Sequence, residues 1–154
     1  MTVSRWGNNK APTVLLINDT PELRRLKRLI LERSGYTVVE ILDGQLALEY
    51  LHASAVPLVV VMNTHIRGLD AAGLLGAAAG EPRLKRHAFV LTTALANQLP
   101  DELLELMQEL QALVVGKPFT KEDLLTAVAN AVERTQAYAR HNAGDHPPGT
   151  CCPR

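Results

Sequence analysis

Five polar residues stand where short apolar runs give out. Asn18 and Asp19 follow Thr13-Val14-Leu15-Leu16-Ile17. Asn63 follows Leu58-Val59-Val60-Val61-Met62. Thr93 closes Ala88-Phe89-Val90-Leu91-Thr92, and Lys117 comes just after Ala112-Leu113-Val114-Val115. Together they offer one carboxylate, one hydroxyl, one ammonium and two amides. A carboxylate suits a hard cation. An ammonium, a hydroxyl and strand-end backbone amides suit an oxyanion. The set makes no nucleophile–base pair, and the chain shows neither a metal-ligand cluster nor a glycine-rich phosphate loop. A conventional enzyme is not expected. His65 sits in the loop after Asn63 and reads as a solvent-exposed ring, not as a ligand or base.

The elements that must position these residues follow from the same pattern. Short, unbroken, β-branched runs are strands buried on both faces, as in parallel sheets covered by helices. Thr37-Val38-Val39-Glu40-Ile41 is a fifth. Between the strands the spacing becomes helical. Thr20-Pro21-Glu22 opens a helix, with Thr20 as cap, Pro21 in the first turn and Glu22 at the positive end of the dipole. Leu23, Leu26, Leu29 and Ile30 give its apolar face; Arg24, Arg25, Lys27 and Arg28 fill the other; Gly35 stops it. Asp43 caps a helix carrying Leu46, Ala47, Tyr50 and Leu51. Asp70 caps a short one with Leu74, Leu75 and Ala78. From about Pro100, Leu103, Leu104, Met107 and Leu110 mark a helix whose polar face is acidic. Thr120 and Asp123 form a capping box before Leu124, Leu125, Val128 and Val132. Five strands alternating with five helices predict an α/β fold, a doubly wound five-stranded parallel sheet with helices on both faces. Right-handed crossovers bring the strand ends to one edge, where ligands of open α/β sheets gather. That edge collects Asn18, Asp19, Asn63, Thr93 and Lys117.

The chain has 154 residues, 47% hydrophobic and 21% charged, with zero formal net charge. This suits one domain of ordinary size with loose ends. No global charge favours nucleic acid or an anionic membrane surface. No apolar run nears the roughly 20 residues of a membrane span, and the N-terminus lacks the apolar core of a secretory signal. A cytoplasmic location is expected. Residues 1–11 read as a disordered lead, 12–138 as the domain, and 139–154 as a disordered tail, polar and rich in breakers after about Gln136. The adjacent Cys151 and Cys152 give no disulfide framework. His141 and His146, also in the tail, have no convergent partner for a metal.

With these motifs the chain resembles the receiver domain of two-component response regulators, over roughly Pro12 to Gln136. The resemblance is carried by Leu16-Ile17-Asn18-Asp19-Thr20-Pro21, the strand ending in Asn63 with Gly68 five residues on, Thr93-Ala94, and Lys117-Pro118-Phe119. It implies a CheY-like, flavodoxin-like fold of strand order 2-1-3-4-5 and a place in phosphorelay signal transduction. In such domains an aspartate ending the third strand attacks a phosphohistidine on a partner kinase. Acidic residues after the first strand hold Mg2+. A hydroxyl after the fourth strand and a lysine after the fifth contact the phosphoryl oxygens. Matched by position, the phosphoacceptor falls on Asn63, the acidic pair on Asn18 and Asp19, the switch hydroxyl on Thr93 and the lysine on Lys117. Val114 stands where the family has an aromatic that swings on activation.

The departures fall on the chemistry. A carboxylate oxygen is negative and can form an acyl phosphate; the oxygen of Asn63 is neutral and cannot. Mg2+ prefers carboxylates, and of these positions Asp19 alone keeps one, so no cofactor is expected. Asp19 and Lys117 carry one charge of each sign, and Lys117 is expected to contact Asp19 or the Asn63 amide oxygen. The expected function is a single-domain, aspartate-less pseudo-receiver acting by phosphorylation-independent protein binding. Its partner would be a histidine kinase, a phosphotransfer protein or an output protein. A homodimer could draw on the basic first helix and the acidic fourth. Two alternatives stand beside it: a phosphorylatable receiver using Thr64 or Asp70, and a small-molecule or anion sensor using Lys117 and Thr93 in the vacated pocket.

Overall fold

The structure is a computed structural model and describes residues 12–17, 20–64, 66, 68–94 and 98–144. Asn18, Asp19, His65, His146, Cys151 and Cys152 lie outside the described residues, as do residues 1–11. In chain order the elements are β1 (Thr13–Ile17), α1 (Pro21–Arg33), β2 (Thr37–Ile41), α2 (Gly44–Ala53), β3 (Val59–Asn63), α3 (Ala71–Ala79), a 3-10 turn (Pro82–Arg86), β4 (Ala88–Thr93), α4 (Asp101–Leu110), β5 (Leu113–Gly116) and α5 (Lys121–Gly144). The strands form one parallel sheet in the order β2-β1-β3-β4-β5, as the sequence led us to expect.

Successive side chains of a strand point to opposite faces, and here they split into two cores. Val14, Leu16, Val59, Val61 and Val90 pack with Leu31 of α1 and with Leu124, Val128 and Val132 of α5. Leu15, Ile17, Val60, Met62, Phe89 and Leu91 pack on the other face with residues of α2, α3 and α4, among them Leu51, Leu74 and Met107. Both faces are covered, which is why the central strands read as continuous apolar runs. The expected caps form. The Asp43 carboxylate accepts from Gln45 N (2.7 Å) and Leu46 N (3.3 Å). That of Asp70 accepts from Gly73 N (3.0 Å). Thr120 and Asp123 each accept from the other's backbone N–H at 3.0 Å.

Helix α1 departs from its expected orientation. Leu26 and Leu29 are 49% and 46% exposed, while Lys27 is buried at 1%. The leucine-rich run allows two stripes of helical spacing, and the observed one passes through Leu23, Lys27, Ile30 and Leu31. Arg24 fixes the choice by pairing with Glu40 of β2 at 2.7 Å, and Arg28 pairs with the same carboxylate. The basic face is thus partly spent within the molecule. Helix α5 also runs on to Gly144, into the stretch expected to be a tail. Apolar periodicity marks only the turns that touch the sheet; a nucleated helix propagates without it. No helix among the described residues is long and apolar enough to cross a membrane.

One buried histidine ties the layers. The His87 ring, 3% exposed, accepts at Nδ1 from Leu58 N (2.9 Å) and donates from Nε2 to Leu51 O (3.1 Å). One acceptor and one donor describe the neutral imidazole. Burial, more than the charges of Arg86 and His52, pushes its pKa down to about 4. Between about pH 6.5 and 4 the unfolded chain then binds the extra proton and the native one does not, so stability falls as pH falls through that window. We expect a loss of about 3 kcal/mol from this group. NMR titration of the His87 ring in the folded protein checks it, and a midpoint at or above about 6 would contradict it.

Candidate functional site

The alternation that builds the cores also aims the site. Asn63 continues the set of Val59 and Val61, Thr92 that of Ala88 and Val90, and Lys117 that of Val115. All three belong to the sheet face covered by α1 and α5. Asn63 and Thr92 are direct neighbours in the β3–β4 register. Lys27 reaches them from α1.

These side chains converge on one atom. The Asn63 Oδ1 accepts from Thr92 Oγ1 (2.7 Å), Lys27 Nζ (3.2 Å) and Lys117 Nζ (3.4 Å). Lys27 Nζ also donates to Thr92 Oγ1 at 3.0 Å. It lies 5.7 Å from the centre of the Phe119 ring, within reach of a cation–π contact. Three donors on one side-chain atom fix the amide orientation, because only its oxygen can accept. Desolvation first, and the nearby charge of Lys117 second, push the pKa of Lys27 down to about 7. The four methylenes of Lys27 take the place of an aliphatic core residue, and its ammonium surfaces inside the site.

Lys117 therefore contacts the Asn63 oxygen, as expected; the Asp19 side of that expectation falls on a residue outside the described ones. Thr93 is 4% exposed at the end of β4, and its carbonyl accepts from Lys117 N at 2.8 Å. Two participants were missed in the sequence. Thr92 was hidden inside an apolar strand. Lys27 was placed on the solvent face of α1; the signal for it was the Leu23, Ile30, Leu31 stripe, whose gap it fills.

Two other positions bear on the chemistry. The Thr64 Oγ1 is buried and has no hydrogen-bond partner among the described residues, so it is not presented to a phosphodonor. The Asp70 carboxylate is engaged as the α3 cap. The loop from Asn63 to α3 is seated on the start of α2. Gly68 has φ +81°, and a Cβ there would lie 2.6 Å from the Asp43 carboxylate; a Cβ on Gly44 would lie 1.7 Å from Leu69 O. On the edge strand, Val114 is 40% exposed beside a groove of about 430 Å3 between β5 and α5.

Asp19, the carboxylate expected at a metal position, lies outside the described residues. The one Asn63 oxygen already takes three donors, two of them ammonium groups. Among the described residues no three His, Cys, Asp or Glu side chains cluster as metal ligands.

The sheet order and helix placement are those of a receiver fold, and comparison with known proteins agrees. The response regulator GtcR of Aneurinibacillus migulanus is 29% identical over 128 residues, which cover 83% of this chain and 48% of that protein. The chain thus spans about half the length of this relative. Among solved structures, the receiver domain of the Pseudomonas aeruginosa sensor histidine kinase PA1611, which holds a magnesium ion in its active-site cleft, superposes with a TM-score of 0.68 at 20% identity, covering 80% of this chain and 98% of that one. The receiver domain of the Francisella response regulator 1452 gives 0.68 at 21% identity, with 80% and 98% covered. No family model matches the sequence. The chain has the receiver fold of response regulators, with its five-stranded sheet in the same order.

Proposed function

We propose that this chain serves two-component signalling as a pseudo-receiver, a domain that binds a protein partner without being phosphorylated. A single observation carries this: at the phosphoacceptor position stands an amide whose oxygen accepts from Lys27, Thr92 and Lys117. An acyl phosphate requires a free anionic oxygen at that point. Asn63 has none to offer, and its neutral oxygen is already held by three donors. The roles of Asn18 and Asp19 as a degenerate acidic pair, of Thr93 as a switch hydroxyl and of Lys117 as a phosphate contact belong to this reading as remnants of the usual site. The partner would be a histidine kinase, a phosphotransfer protein or an output protein, and no cofactor is required.

Incubation with acetyl phosphate and Mg2+, followed by intact-protein mass spectrometry, tests the reading. The expected result is no phospho-adduct, and no change in partner binding on adding beryllofluoride. A stable adduct, at residue 63 or elsewhere, would sink it. Sensing of a small anion is favoured as a second reading by one observation: the ammonium groups of Lys27 and Lys117 both donate to the neutral Asn63 oxygen.

A further inference from the structure

We infer that Lys27 is the resident cation of this site: its ammonium stands in for a divalent metal, and it bars metal binding independently of what occupies position 63. The inference rests on the reading of residue 63 as a degenerate phosphoacceptor and adds a second, separate lesion. The geometry carries it. Lys27 Nζ bonds both the Asn63 oxygen (3.2 Å) and the Thr92 hydroxyl (3.0 Å), so it sits between the ends of β3 and β4. It is delivered from α1, whose rotation is held by the pairing of Arg24 and Arg28 with Glu40. It is 1% exposed, so its ammonium is held within the fold and not in bulk water. Lys117 approaches the same oxygen from β5.

Below about pH 7, where Lys27 keeps its proton, two positive charges repel a dication, and a carboxylate restored at position 63 would be neutralised by the ammonium already touching that atom. A receiver domain needs its lysine after the fifth strand for a phosphoryl oxygen. The resemblance assigns no role to a cation from the first helix, so Lys27 is an addition to the positions it matches.

The test pairs N63D with the double variant N63D/K27M and titrates each with Mn2+, followed by calorimetry and by paramagnetic relaxation of water protons. N63D alone is expected to bind Mn2+ weakly. The double variant is expected to bind at least roughly tenfold tighter, the scale on which groups around a metal site alter affinity. If the double variant binds no tighter than N63D, whether both bind or neither does, the inference is overturned. N63D/K27Q repeats the comparison with a polar, uncharged side chain should the methionine variant fail to fold. The phosphorylation test on the wild-type chain is independent of this outcome, so the failure of one reading is distinguishable from failure of the other.

Discussion

Lys27→Met raises the stability of the folded chain at about pH 6, by about 1–4 kcal/mol, the range seen when a buried ion gives way to a packed apolar side chain. Methionine has nearly the length of lysine and keeps the contact with Phe119. It removes the cost of holding an ammonium away from water. The Asn63 oxygen keeps Thr92 and Lys117 as donors, and the Thr92 hydroxyl, though it loses the donor Lys27, still donates to Asn63. The sign of the pH dependence follows from the lowered pKa. Native Lys27 loses its proton near pH 7, while the unfolded lysine keeps it to its ordinary value of 10.5. Across that window the unfolded chain binds more protons, so wild-type stability climbs with pH, by about 5 kcal/mol in total from this one group. The methionine variant lacks that climb, and its advantage shrinks toward the alkaline end. Urea unfolding of both proteins at several pH values measures it. A variant less stable than wild type near pH 6 would show that the ammonium is a net stabiliser, contrary to this account.

Gly44→Ala costs more than about 4 kcal/mol, a loss that exceeds ordinary point mutations and leaves little of a typical domain's stability. The reason is a backbone contact. The new methyl would meet Leu69 O at 1.7 Å and its carbonyl carbon at 2.7 Å, and backbone atoms cannot swing aside as a long side chain can. Relief requires lifting the β3–α3 loop from the first turn of α2, next to the Asp43 cap. The variant should be largely unfolded by circular dichroism or show a much lower midpoint in urea. A loss below about 1 kcal/mol would mean the loop yields freely.

The fold was legible because its signals are local and redundant. Five apolar runs, the caps at Asp43, Asp70 and Thr120, and the stops between them all favour one architecture, and the strand order followed from the resemblance. The site was legible in part. Asn63, Thr93 and Lys117 end apolar strands, and strand ends can be read. Lys27 could not be found that way, because pattern reading scores lysine as polar and therefore as surface. Its stem is as apolar as a leucine, and the rotation of α1 that buries it is set by Glu40, a residue from a different element. Thr92 was hidden for a related reason: a hydroxyl inside a β-branched run passes for valine until its neighbour across the sheet is known. The far turns of α5 were missed because they carry no apolar face to read.

The crowding of three donors on one oxygen also bears on how many substitutions a change of chemistry at this point would take. On the proposed reading, a carboxylate introduced at position 63 alone would fall beside two ammonium groups and end in an ion pair instead of a reactive centre. A change at position 27 alone would leave an inert amide. On the proposed reading, phosphoacceptor chemistry here would need both changes together, and neither alone would supply it.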